Sequence, residues 1–386
     1  MMHGSKLTKH HSLSAGRYLP SVVVPLVLMA LFCAGLPFGC TSVVKDSEAS
    51  SSSAEPLLIT GNTMGTTYMV KYFPVVKHGN GARSDKEDLA APIDQELQEV
   101  NQQMSTYIPD SELSLFNANR STDWQMVSDD LAFVLATAQS LSEASNGAFD
   151  VTVGPLVKLW GFGANAQTQQ PTKLEVEAIK ETVGFTKLLI KRAETSIRKE
   201  SEGLQVDLSA IAKGHGVDRV CGVLEEAGVV SYFVEVGGEV RTKGKKQSGD
   251  SWVVGVETPD PERRDILFAL ALDDMALATS GDYRNYRELD GKVISHTINP
   301  NTGFPVDDPI TSASAFSTTC AEADGIATAM MAAGFEAGLA LAEDNQWAVV
   351  LIARTESEPG IKLALSSRFK ELFPSETLPS DLGVKQ

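Results

Sequence analysis

The chain has 386 residues, with 33 Lys and Arg against 50 Asp and Glu, a formal net charge of −17. That acidity argues against sequence-independent nucleic-acid binding, so a phosphate-rich ligand has to be met by local cations or a metal. With 42% hydrophobic and 7% aromatic residues, the composition supplies a core and excludes global disorder; the length suits one large domain or two ordinary ones.

Residues 1–20 carry Lys6, Lys9 and Arg17 and no acid, and the apolar run "SVVVPLVLMALFCAGLPFGC" follows at 21–40. A basic region, an apolar run and small residues before a boundary read as a secretory signal. Gly39-Cys40 resembles a bacterial lipobox, in which Cys40 is lipidated and becomes the first residue, although Pro37 stands where Leu is usual. The apolar run also has about the 20 residues that a transmembrane anchor needs. The Ser-rich segment at 41–56 reads as a flexible tether, which favours a lipid-anchored protein of the bacterial envelope facing the periplasm. Ser42, rather than Asp, after the next residue favours the outer membrane. Beyond the signal, Cys221 and Cys320 read as two small buried hydrophobes; in an oxidising envelope they are also able to pair. No Cys/His spacing resembles a zinc site.

Residues 57–73 read as two strands joined around Gly61–Gly65, followed by a Pro/Gly loop at 74–86. Ile93, Leu97, Val100 and Met104 recur at helical spacing. Ser128 caps a second helix that Gly147 ends. After "FDVTVGPLVKLWGFG" (149–163) come a Gln-rich loop at 167–172, a short helix at 173–183 and strands over 185–198. The segment "VDLSAIAKGHG" (206–216) then opens a helix through Ile211, Val217, Val220 and Leu224 to Gly228, with Ser209 as its cap. "YFVEVGGEVRTKG" (232–244) alternates about Gly237-Gly238, a hairpin signal because paired glycines accept positive φ. Further strands are expected at 252–258, 266–272, 292–298 and 310–317, then one helix at 320–343 and a strand at 347–353. Strand meanders with inserted helices predict an α+β fold with mixed, largely antiparallel sheets. The expected organisation is a signal peptide at 1–40, a tether at 41–56, one domain at 57–365 and a tail at 366–386.

Several segments carry side chains able to do chemistry. Asp324 and Thr328 are four apart and share a helix face, and both are hard oxygen donors of the kind Mg²⁺ prefers. An acid in a first helical turn also complements the helix dipole without any metal. Around Lys213, bare backbone and a helix N-terminus suit an anion, with Asp207 at the entry. The same segment also suits a helix packed closely on a sheet. It is neither a Walker P-loop nor a Rossmann fingerprint. His296 ends a strand between Ser295 and Thr297, just before the Asn299-Pro300 turn, a position that suits either a structural His or the edge of a functional loop. "MGTTY" (64–68), "MSTYIPDSELSLFN" (104–117) and "GAFDVTVGPLVKLWGFG" (147–163) offer Gly, hydroxyls and aromatics that suit either a planar ring or a core.

Taken together, "TMGTTY", "MSTYIPDSELSLFN", "FDVTVGPLVKLWGFG", "VDLSAIAKGHGVD", "VEVGGEV", "SGDYRNY", "SHTINPNTGFPV" and "EADGIATAMM" resemble, in family order, the motifs of the ApbE family of flavin transferases. The resemblance spans residues 57 to about 355. It implies Mg²⁺-dependent transfer of FMN from FAD to a Thr or Ser hydroxyl of a target protein, with release of AMP. It also implies target subunits in sodium-pumping NADH:quinone reductase or Rnf-type complexes. By motif match, Asp324, Thr328 and the backbone carbonyl of Ala210 are the Mg²⁺ ligands. The FAD pocket takes in Met64, Tyr107, Ala148, Phe149, Asp150, Asp207, Lys213, His296, Thr297 and Ile298. His296 is the candidate base. His215-Gly216 stand where Tyr-Ala is frequent, Asn299 where Asp is frequent and Leu115 where Arg is frequent. The same residues also suit an FAD pyrophosphatase yielding FMN and AMP, or a lipid-anchored flavin-binding protein without chemistry.

Overall fold

The computed structural model describes residues 55–75, 85–162, 170–260, 265–282, 286–289, 292–355 and 360–374. The expected signal peptide lies outside the described residues, as do all but the end of the tether, most of the Pro/Gly loop, the first half of the Gln-rich loop, and residues 375–386.

In chain order, strands β1 (Leu57–Thr63) and β2 (Thr66–Tyr72) precede helices α1 (Lys86–Met104) and α2 (Glu112–Ala118). Next come β3 (Gln125–Met126), α3 (Asp129–Ala144), α4 (Gly154–Leu159), α5 (Lys173–Lys180), β4 (Leu188–Lys191), β5 (Ser196–Lys199) and α6 (Ala212–Glu226). A run of strands follows: β6 (Tyr232–Val236), β7 (Glu239–Lys243), β8 (Trp252–Glu257), β9 (Ile266–Leu272), β10 (Ala276–Gly281), β11 (Tyr286–Leu289), β12 (Lys292–Ser295) and β13 (Ile310–Ser317). Helices α7 (Cys320–Ala333) and α8 (Phe335–Asp344), strands β14 (Ala348–Arg354) and β15 (Ile361–Leu365) and helix α9 (Ser367–Leu372) complete the order.

An eight-stranded sheet runs β1-β2-β6-β7-β10-β13-β14-β15, antiparallel at every step. The α+β, largely antiparallel expectation holds. Two hairpins follow from local backbone chemistry. Gly237 and Gly238, at φ 59° and 104°, join β6 to β7, while Met64 and Gly65, at 49° and 72°, join β1 to β2. The β1–β2 turn is therefore at Met64-Gly65, and Gly61 lies inside β1. A Cβ on Gly61 would sit 2.4 Å from the Tyr68 ring, so glycine there lets the ring lie across the strand.

Alternation along β10 sends successive residues into two different cores. Ala276 and Ala278 pack with Ile93, Leu97, Val217 and Leu224 of α1 and α6. Leu277, between them, joins Phe316, Val350 and residues of β8, β9 and α9. The α7 helix is rich in small and apolar residues and mostly buried, as a central helix must be, with Asp324 and Thr328 as polar residues on one face.

Three boundaries differ from expectation. The helix expected over 320–343 is two, broken at Gly334, whose φ is 87°. β10, β15 and α9 carry too little sequence punctuation to be seen in advance. Because Phe369 of α9 is fully buried in the second core, the packed domain continues past residue 365 into the expected tail. Finally, Ser209 does not cap α6; the helix begins after Ile211, and Ser209 instead donates its N–H and hydroxyl to Asp207 Oδ1.

Candidate active site

A cavity of about 730 Å³ opens where α6, α7, β10 and the loop after β12 meet. It gathers residues far apart in sequence. Tyr107, Ala148, Phe149, Asp150, Asp207, Ala210, Lys213, His296, Thr297, Ile298, Asp324 and Thr328 all line it. Met64 does not. Its side chain packs at α6, where a Cβ on Gly216 would come within 2.9 Å of Met64 Cε. Small Gly216 thus makes room for Met64, which also lines a second, shallower hollow at the β1–β2 turn. His215 is also outside the cavity, buried near Phe133 with Nε2 4.0 Å from Asp130 Oδ1. Burial pulls its imidazole down to about 4, so it is neutral at pH 7.

Each wall has a local cause. The extended entry to α6 is not in a sheet. Instead the Asn117 side chain pairs with Val206 twice, Nδ2 to the carbonyl at 2.8 Å and the amide to Oδ1 at 2.8 Å, while Asp207 N–H reaches Val151 O at 2.7 Å. That brace sets Asp207 and Ala210 at the cavity. On the opposite side, Asn299 organises the loop bearing His296. Its Oδ1 accepts from Asn301 and Thr302 N–H, and its Nδ2 donates to Ala332 O at the end of α7 at 3.0 Å. Aspartate could accept those turn bonds but could not donate to Ala332, which accounts for asparagine at this position. The His296 ring meets Phe162 edge-on, centroids 6.3 Å apart. Tyr107 is 70% exposed at the lip, whereas the Phe149 ring is core, packed beside Gly325 of α7.

Two of the three aspartates at the cavity, Asp150 and Asp324, differ in their hydrogen bonding. Asp150 is spent on structure, taking Thr152 N–H and hydroxyl on Oδ1 and Phe185 N–H on Oδ2. Asp324 is 2% exposed and takes only Gly214 N–H, on Oδ2 at 3.1 Å, with Lys213 Nζ 3.9 Å from Oδ1. Thr328, one turn along α7, shares a hydroxyl contact of 3.1 Å with Ser280 of β10. A carboxylate, a hydroxyl and the Ala210 backbone on one cavity are oxygen donors, which fit a hard cation such as Mg²⁺. Among the described residues no group of three or more His, Cys, Asp and Glu is gathered as a metal cluster.

Sequence reasoning missed Glu239. It follows Gly237-Gly238 and is 2% exposed. Its Oε1 binds Lys213 Nζ, and its Oε2 is buried without a hydrogen-bond partner. Burial, then the Asp324 charge, push Glu239 up to about 8, with Lys213 opposing. For Lys213 itself burial works downward, but Asp324 and Glu239 outweigh it and hold the ammonium charged. The only warning in sequence is an acid at an inward register of an otherwise apolar hairpin. Cys221 and Cys320 are free and buried, consistent with small hydrophobes.

Fold and cavity define an α+β protein with a cleft that offers an oxygen-donor helix face, an ammonium and an apolar wall. A model of the ApbE family matches residues 64–351, and the chain belongs to that family. It is 43% identical over 318 residues to an FAD:protein FMN transferase of Vibrio cholerae serotype O1, covering 82% of this chain and 92% of the relative. Among solved structures, the flavin transferase ApbE from Vibrio cholerae superposes with a TM-score of 0.73 at 42% identity, over 82% of this chain and 99% of that one. The apo flavinyl transferase ApbE of Pseudomonas stutzeri gives 0.73 at 36% identity, over 83% and 98%.

Proposed function

We propose that this protein transfers FMN from FAD to a Thr or Ser hydroxyl of a target protein, with Mg²⁺ and with release of AMP. The observation that carries the reading is the meeting of Asp324, Thr328, Ala210 and Lys213 on one cavity that His296 also lines. The names of the relatives, FAD:protein FMN transferase, support the same reaction.

In the proposed step the acceptor hydroxyl oxygen attacks the FMN-side phosphorus. One P–O bond forms, the pyrophosphate P–O bond to AMP breaks, and the hydroxyl proton passes to His296. Lys213 places a charge against the diphosphate. The apolar wall of Val153, Val157 and Phe162 suits the flavin ring, with Tyr107 at the entrance. Asp324, Thr328 and the Ala210 carbonyl would hold Mg²⁺, which when bound would supply neutralisation of the phosphate charge. The acceptor is proposed to be a subunit of a sodium-pumping NADH:quinone reductase or Rnf-type complex. The enzyme is proposed to reach it from the envelope, anchored through lipidated Cys40 and facing the periplasm.

The test incubates residues 41–386 with FAD, Mg²⁺ and a candidate acceptor subunit, then reads flavin fluorescence on a denaturing gel. A fluorescent acceptor band that EDTA abolishes is expected. AMP and free FMN without a labelled acceptor would replace the transferase reading with a pyrophosphatase.

A further inference from the structure

Neither α6 nor α7 receives a side-chain cap from its own preceding residue, Ile211 or Thr319. Each takes a carboxylate from the other. Asp218 of α6 accepts Cys320 N–H on Oδ1 at 3.0 Å and Ala321 N–H on Oδ2 at 2.9 Å. Asp324 of α7 accepts Gly214 N–H at 3.1 Å. The donors lie in first helical turns, where amides have no acceptor within their own helix. The acceptors stand one turn further on, at 218 after 214 and at 324 after 320, so donor and acceptor share one face of each helix. The faces touch directly, since a Cβ on Gly214 would lie 2.3 Å from Cys320 O. Arg241 of β7 balances the Asp218 charge, Nη1 to Oδ1 at 2.8 Å.

We infer that Asp218 is a positioning residue for the metal-binding carboxylate. It does not line the cavity. Its two bonds fix the height and rotation of α7 against α6, and the oxygen donors come from both sides of that contact: Ala210 just before α6, Asp324 and Thr328 on α7. Without the exchange α7 is free to slide by fractions of an ångström, and the three donors lose their common centre. The inference rests on the reading of those donors as the Mg²⁺ site.

The test substitutes Asp218→Asn. The amide keeps size and one acceptor but turns an NH₂ group toward an N–H it cannot accept. Mn²⁺ is titrated calorimetrically into the FAD-loaded full-length protein, and amide exchange is followed at Gly214. Mn²⁺ binding about tenfold weaker or more, the range typical of lost support behind a ligand, is expected. FAD affinity should be nearly unchanged, and exchange at Gly214 should rise. Phe369→Leu, destabilised in the remote second core, should keep the wild-type Mn²⁺ affinity. If Asp218→Asn fails to fold, Asp218→Glu, which keeps the charge for Arg241 but displaces the carboxylate from the two amides, takes its place in the same titration. Mn²⁺ affinity within about twofold of wild type in the folded variant would reduce Asp218 to a helix cap and overturn the inference. Asp324→Ala separates the two levels: if that variant keeps Mn²⁺, the metal site itself is wrong; if it loses Mn²⁺ while Asp218→Asn does not, only the role of Asp218 falls.

Discussion

Gly214 and Gly222 lie on the same helix and predict opposite outcomes for the same substitution. Alanine in a helix interior is favoured over glycine by about 1 kcal/mol. At Gly222 a new Cβ meets nothing within 4 Å, so Gly222→Ala should stabilise by roughly that amount. At Gly214 the new Cβ would lie 2.3 Å from Cys320 O, 2.6 Å from Cys320 C and 2.8 Å from Ala321 Cα. All three are backbone atoms, so no rotamer change relieves the contact and α7 must move away. Overpacking costs about 1–3 kcal/mol, and loosening each carboxylate cap costs about 1 kcal/mol more. Against the helix gain, Gly214→Ala should come out about 2–4 kcal/mol destabilised. Thermal unfolding in EDTA reads both, at roughly 2–4 °C per kcal/mol for a domain of this size. Flavin transfer by Gly214→Ala should fall well beyond its loss of folded protein, since Gly214 N–H holds Asp324. A melting temperature for Gly214→Ala at or above wild type would refute the close helix contact and the account of the site built on it.

Three further outcomes follow from the cavity. Asp324→Ala should lower flavin transfer roughly 100-fold or more while circular dichroism stays native, because it removes the carboxylate donor; transfer close to wild type would exclude Asp324 as a ligand. His296→Ala should reduce kcat by about 10²–10⁴ with little change in FAD affinity. A collapse of affinity with normal turnover at saturation would instead make His296 a binding residue. Glu239, raised to about 8 by burial and by Asp324, is protonated in the fold over a range where the unfolded chain ionises it. Its contribution therefore falls as pH rises from about 4.5 toward 8, where the unfolded state binds fewer protons. In EDTA, Glu239→Gln should flatten that slope in urea midpoints measured at pH 5 and 8.5; an unchanged slope would place the titration elsewhere.

How far the site was legible depends on whether one segment or two define a residue. Asp324 and Thr328 are one turn apart, so helical spacing alone brings them together. Lys213 stood out because the glycines around it are empty of side chains, and Gly214 is empty because Cys320 O occupies the place of a Cβ. The hairpin at Gly237-Gly238 was legible from paired glycines. Glu239, just past it, was not, because its partner Lys213 is on another element and nothing local marks an inward acid. Asp218 was hidden for the same reason: its acceptor role is defined by amides a hundred residues away. Met64 is ambiguous in sequence because positive φ and an apolar side chain at a turn look the same whether the side chain meets a ligand or only packs, and its contact with Gly216 joins two distant segments.

The charge balance at the cavity explains how so acidic a chain can meet a diphosphate. Net charge acts at long range and is screened by salt within about 8–10 Å, whereas the partly buried Lys213 ammonium acts at contact. Asp324 holds the Lys213 ammonium charged against burial, while burial and the Asp324 charge push Glu239 up toward its neutral form. The three groups are thus near neutral as a set, and the surrounding acid does not have to be overcome. A phosphate arriving at Lys213 competes with Glu239 for the same ammonium. Glu239 gives way at little cost, because as a neutral acid it is already suited to its buried place. Glu239→Gln should therefore leave FAD affinity close to wild type, whereas Lys213→Met should weaken it strongly. Equilibrium FAD titration of the two variants decides the point. Equal losses in both would mean that Glu239 acts as an ionised partner holding Lys213 in place, and the near-neutral set would be wrong.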